Sequence, residues 1–275
     1  MGGLNEKIIE YRSMNYDDLI FFQDWFTDYC RSFYSDNGED QRNYLLKEKH
    51  TFNVCRNMEM ITGELLLGEE QRLLALTIAL FHDIGRFPQY ARFKTFRDSD
   101  SINHGALGAA TLKEEKITEK LASGEREIIL KAVRFHNAFS LQKNESEETI
   151  FFTRLVRDAD KLDIWRVFLD YYDTPHEYRA SAVGLGLPDV PEYTQRILPD
   201  MYDKKIIRLV DLKTLNDFKL LQLSWIFDLN FRPSFRLLKK GDYIERIAAS
   251  LPQTDEIKNI TAFLKSYVRQ ELEKR

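Results

Sequence analysis

The stretch Leu73-Leu-Ala-Leu-Thr-Ile-Ala-Leu-Phe81 constrains this chain more than any other segment. It is apolar nearly all round at helical spacing, so it predicts a helix buried on every side. It runs directly into His82-Asp83, and Gly85 allows the helix to end there. An imidazole and a carboxylate at the end of a buried helix are costly unless they are paired or bind a metal. The same conflict recurs along the chain. His50 shares an i±4 stripe with Leu46, Val54 and Met58, His136 lies with Ile129, Ala132 and Val133, and Asp160 lies with Phe152 and Val156. His104 opens the run Gly105-Ala-Leu-Gly-Ala-Ala110, whose small side chains let a helix pack close to a neighbour. One histidine on an apolar face is more often a satisfied core residue. Here four of the five histidines lie on such faces. Imidazole and carboxylate are the ligands that divalent first-row metals take, so together these residues predict a metal centre. His176, in a Pro-containing stretch, reads as a solvated loop histidine.

Helical periodicity dominates the rest, with no convincing run of alternating β-branched residues. Helices are predicted near 16–35, 40–66, 69–83, 104–120, 124–138 and 147–170. An irregular stretch follows over 173–192, with Pro175, Pro188 and Pro191, and reads as a linker or lid. Further helices are predicted near 192–199, 213–229, 233–239 and 254–274. The reading is an all-α chain with a helical core over residues 15–172 and a helical C-terminal extension over 173–275 that caps or shapes the site. Apolar residues make up 43%, enough for a sizeable core. Phe22, Trp25, Phe26 and Tyr29, at helical spacing, belong to it, as do Trp225, Phe227, Phe231 and Phe235.

A formal net charge of -4 offers no basic field for coating a nucleic acid. The opening residues Met1–Glu6 do not read as a signal peptide, and Leu73–Phe81, the longest apolar run, is too short to span a bilayer. Cys30 and Cys55 form neither a CxxC pair nor a disulfide framework, so a reducing cytoplasm is the simplest compartment.

His50, the pair His82-Asp83 within Phe81-His-Asp-Ile-Gly-Arg86, and Asp160 within Asp158-Ala-Asp-Lys-Leu-Asp163 resemble, in type and order, the HD superfamily of metal-dependent phosphohydrolases. The resemblance implies a helical HD core in which His50, His82, Asp83 and Asp160 are metal ligands. Asp158 and Asp160 compete for the last position. Asp160 is preferred, because the family's closing Asp usually precedes a Lys or Arg and then Leu. Some branches add two histidines for a second metal position. His104 and His136 stand in that order, which implies one or two divalent ions (Mn, Fe, Ni, Zn, Co or Mg) with Asp83 bridging. Asn137 and Arg86 depart from the branch that cleaves cyclic dinucleotides, which usually has a second His and a Lys at those places.

Phosphoester hydrolysis needs a nucleophile at neutral pH and a neutralised phosphoryl group, and a metal supplies both. The resemblance therefore implies a small phosphomonoester or phosphodiester substrate, nucleotide-like, with Asp83 at the catalytic centre and Lys161 on the phosphate. Arg86, three residues past Asp83, is a second candidate for the phosphate, the alternative being a solvated basic face. The segment Phe87–Asn103, carrying Arg92, Lys94 and Arg97, reads as a loop or short helix over the site. Two rivals share these residues. A branch that includes myo-inositol oxygenase and an organophosphonate-cleaving oxygenase holds two irons with four His and two Asp. A regulatory module would bind nucleotide or metal without turnover.

Overall fold

The computed structural model describes residues 13–140, 144–178, 180–181 and 186–274. Residues Met1–Glu6, on which the reading of the N-terminus rests, lie outside these, as does the side chain of His176. The architecture is all-α, with no strand among the described residues. In chain order the helices are α1 (Tyr16–Arg31), α2 (Gly38–Glu64), α3 (Glu69–Phe81), α4 (Arg86–Phe93), α5 (His104–Glu114), α6 (Ser123–Phe135) and α7 (Glu147–Asp173). They are followed by α8 (Leu198–Tyr202), α9 (Leu215–Ser224), α10 (Arg232–Lys240), α11 (Tyr243–Ala249) and α12 (Asp255–Glu273). No described helix is long and apolar enough to cross a membrane.

Two long helices carry the frame. Each is 27 residues, and each begins at a side-chain cap that satisfies its orphan amides: Asn37 for α2 and Ser146 for α7. Both pack on α3, the helix predicted to be buried all round. Seven of its side chains from Leu73 to Phe81 are apolar and buried, and Thr77 is buried with them. Phe22 and Trp25 of α1 meet the Phe81 ring at 5.4 and 6.0 Å, edge to face, which closes the outer side of α3.

The helices on the other flank are set by close backbone approach. A Cβ at Gly85 would stand 2.2 Å from the His104 carbonyl oxygen and 2.6 Å from the Gly108 amide. A Cβ at Gly105 would stand 2.7 Å from the Arg134 carbonyl oxygen. The small-residue run of α5 therefore lets this helix lie directly against the turn after α3 and the end of α6. That contact brings His104 and His136 beside Asp83.

Several boundaries differ from the periodicity for local reasons. The helix predicted over 104–120 stops at Glu114, because Lys116 turns left-handed with φ 56° and Ile117 and Thr118 tuck into the interior. The segment predicted over 213–229 is helical only to Ser224, then tightens into a 3-10 turn at Trp225–Asp228. Near 192–199 there is a 3-10 turn, Gln195–Ile197, leading into α8 with Pro199 in its first turn. The short helix α11 was not predicted; it starts after Asp242, whose φ is 50°.

The C-terminal helices dock on α7 and α2. Asp158, fully buried, is the main polar anchor. Its carboxylate accepts from Asn230 N (2.9 and 3.1 Å), Asn230 Nδ2 (2.9 Å) and Phe231 N (3.1 Å), just before α10. Burial raises its pKa against the pull of these hydrogen bonds. Asp158→Ala would remove the buried acceptor of three donors at this junction, so it is expected to destabilise the fold by about 2–4 kcal/mol. Thermal unfolding checks this: a melting temperature within about 2 °C of wild type would contradict the anchoring role.

Candidate metal centre

Five separate elements deliver six side chains to one point. His50 comes from the middle of α2, His82 and Asp83 from the end of α3, His104 from the first position of α5, His136 from the end of α6 and Asp160 from α7. His50, His82, Asp83, His104 and His136 are all buried, and the Asp160 side chain is 16% exposed. Asp158, the alternative to Asp160, points instead to Asn230 and Phe231.

Asp83 divides the centre in two. Its Oδ2 lies 3.5 Å from His50 Nε2 and 3.7 Å from His82 Nε2. Its Oδ1 lies 3.3 Å from His104 Nε2 and 3.7 Å from His136 Nε2. Asp160 Oδ1 joins the first group, 3.0 Å from His50 Nε2 and 3.6 Å from His82 Nε2. Two groups that can hold a metal ion thus share Asp83: His50, His82 and Asp83, and Asp83, His104 and His136.

The outer nitrogens decide what the inner ones offer. His82 Nδ1 donates to the Ala79 carbonyl and His136 Nδ1 to the Val133 carbonyl, each at 2.7 Å and each three residues back. Both histidines cap the ends of their helices, where carbonyls lack intrahelical partners. A carbonyl only accepts, so these Nδ1 atoms carry the protons. His50 Nδ1 donates to Asp163 Oδ2 (2.7 Å), and His104 Nδ1 to Asp98 (2.8 Å to Oδ2). In the neutral rings every Nε2 therefore presents a lone pair to the centre. The facing pairs are close: 3.3 Å between His50 and His82, and 3.0 Å between His104 and His136. Asp160 Oδ1 is buried with no hydrogen-bond donor. Converging lone pairs and carboxylate oxygens repel one another unless a cation lies among them, so the donor set fits a divalent metal.

Residues 48–165, which include all six side chains, match the family model of the HD domain. Over these residues the chain is similar to the HD domain. Such domains are usually those of metal-dependent hydrolases that bind divalent ions. No curated protein and no solved structure matches the chain.

The charges inside this centre are finely opposed. Burial alone would raise both carboxylates, yet Asp83 is held well below the usual range, with Lys47 the strongest opposing influence. Asp160 is also held well below that range, against burial, by His50 and His82. Burial and Lys47 disfavour a charge on His50, but Asp160 and Asp163 outweigh them and raise it to about 9; a metal binding at Nε2 would displace that proton and leave the ring neutral. His104 is pushed down to about 3, by burial first and then by Arg86.

The two expected phosphate contacts have their charge taken up within the protein. Lys161 Nζ lies 2.6 Å from Asp228 Oδ2, which also receives Arg157 Nη2 at 2.6 Å. Arg86 Nη1 donates to Phe96 O (2.6 Å), Gln89 Oε1 (2.8 Å) and Asp98 Oδ1 (3.0 Å), and its Nε lies 3.4 Å from Asp83 Oδ1. The segment after Arg86 is helical as α4 and then looped. Lys94 pairs with Asp40, and Arg97 with Asp100. Cys55 packs against the core.

Three neighbours were not picked out from the sequence. Asp163 stands one helical turn past Asp160, and Lys47 one turn before His50, so spacing carried a signal for both. Asp98 opens a single 3-10 turn, Asp98–Asp100, too short to show a period, and it holds His104, Arg86, Gln89 and Asn137 together. Asp98→Asn would weaken the hold on the His104 ring and lower its basicity. We expect metal affinity at the His104–His136 group to fall about 10–100-fold, with the His50–His82 group little changed. Metal titration would show this as a split isotherm, and an unaltered one would contradict the role given to Asp98.

Proposed function

We propose that this chain is a metal-dependent phosphohydrolase acting on a small phosphomonoester or phosphodiester, nucleotide-like in character. His50, His82, Asp83 and Asp160 hold one divalent ion, and Asp83, His104 and His136 hold a second. The observation that carries this reading is the commitment of all four Nδ1 atoms to acceptors, which leaves four Nε2 lone pairs and two carboxylates facing one centre. When bound, a divalent ion supplies water acidic enough to attack at neutral pH and charge to polarise the phosphoryl group.

The protein's own residues do the rest. Neutral imidazoles leave the ionic charge uncancelled, and only two carboxylates offset it. Asp163 and Asp98 aim the rings of His50 and His104 and keep their protons on the outer nitrogen. Arg86 ties Asp83 Oδ1 to Asp98, so one guanidinium steadies both the shared carboxylate and the holder of the His104 ring. The burial of five of the six side chains excludes bulk water and strengthens every charge interaction among them.

The test is elemental analysis of protein purified without added metal or chelator, followed by a panel of phosphoesters assayed with the ions found. Bound divalent metal and turnover that a chelator removes support the reading. Two irons with substrate-dependent consumption of dioxygen would replace it with the oxygenase rival, which uses the same six side chains. Metal without turnover on any phosphoester, together with a melting temperature raised by nucleotides, would replace it with a regulatory module.

A further inference from the structure

Lys47 lies on α2 one turn before His50, on the same side of the helix. Its Nζ donates to Asp83 Oδ2 at 2.7 Å. The side chain is 15% exposed, and the ammonium stands 5.2 Å from the centre of the Phe96 ring, which Arg86 also covers at 5.7 Å. The aromatic face and the short reach of the buried stem keep this charge at the rim of the centre instead of in bulk solvent.

The oxygen that Lys47 holds is the one facing His50 and His82. Lys47 and a divalent ion in that group therefore compete for the same atom. The neighbouring cations are placed differently. Arg86 is shared among Asp98, Gln89 and the Phe96 carbonyl, Arg157 and Lys161 sit on Asp228, and Arg166 sits on Asp163. Arg86 also reaches Asp83, but at 3.4 Å and on the other oxygen, Oδ1; Asp98, Asp228 and Asp163 lie outside the two metal-holding groups, whereas Asp83 lies in both.

We propose that Lys47 is the contact for the phosphoryl oxygens of the substrate, its ammonium passing from Asp83 to the incoming anion when a divalent ion engages Oδ2. This rests on the hydrolase reading above. The charge balance points the same way. Asp98 is offset by Arg86 and Asp163 by Arg166, which leaves Asp83 and Asp160 against the ions. Two divalent ions exceed those carboxylates by two charges, and Lys47 adds a third. A phosphoryl group is the compact polyanion that such an excess selects, and a lysine meets it as a point charge with three donors.

Calorimetric titration of the metal-loaded protein with inorganic phosphate tests this, with metal content measured on the same samples. Lys47→Met is expected to keep the metal stoichiometry of wild type and to bind phosphate about tenfold or more weakly. Lys47→Arg, which restores the charge, is expected to recover most of that loss. Lys47→Gln serves as a second neutral variant, with folding checked by circular dichroism, should the methionine protein not fold. Unchanged phosphate affinity in a folded, metal-loaded neutral variant would overturn the proposal while leaving the hydrolase reading in place, even if that variant melted lower. Wild-type protein that loads metal but does not bind phosphate would overturn it too. Failure of the wild-type protein to take up any divalent ion would instead overturn the hydrolase reading, and the role of Lys47 with it.

Discussion

Asp83→Ala is expected to empty both metal positions and to lower phosphoester turnover by roughly three orders of magnitude or more. Each oxygen of this carboxylate serves a different histidine pair, so its removal takes a ligand from both groups at once. It also leaves Lys47 and Arg86 directed at a point with no negative charge, which adds repulsion to any cation entering there. Asp83→Asn separates the two effects, because it keeps the volume and one carbonyl oxygen while removing the charge. Elemental analysis and turnover on the same preparation decide the matter. An Asp83→Ala protein that retains its metal and its activity would sink the assignment of the centre.

His104→Ala has a narrower expected effect. The His50–His82 group keeps both its imidazoles, Asp160 and one oxygen of Asp83, whereas the other group is reduced to His136 and the remaining oxygen. Metal content should fall from two equivalents to one, and turnover should drop about 100-fold or more if both ions act on the phosphoryl group. Two retained equivalents would mean that the dinuclear arrangement is wrong. A drop to zero would mean that the two groups do not fill independently.

The readability of this chain followed the period of its helices. His50, His82, His104, His136 and Asp160 stood out because each interrupts an apolar stripe, and a stripe is a local property that survives without knowledge of the partner helix. The small residues of α5 carried a second local signal, the close approach now seen at Gly85 and Gly105. The destinations of Lys161 and Arg86 were not legible. A lysine next to a ligand can turn to either side of α7, and only the docking of the Trp225–Asp228 turn places Asp228 within its reach. Asp98 was hidden for a related reason: its partners come from α4, α5 and the residue after His136, and no sequence spacing encodes that meeting.

Helix ends are ordinarily where a protein opens first, since their last carbonyls have no partner along the chain. At the ends of α3 and α6 the carbonyls of Ala79 and Val133 are instead tethered by the imidazoles of His82 and His136. Fraying of either terminus would therefore swing a nitrogen out of the centre, and a cation gripping that nitrogen would resist the fraying. Ligand occupancy and the breathing of these two helix ends become one equilibrium. In hydrogen–deuterium exchange, the amides just after His82 and those just after His136 should then slow as divalent metal is added, each with the filling of its own group.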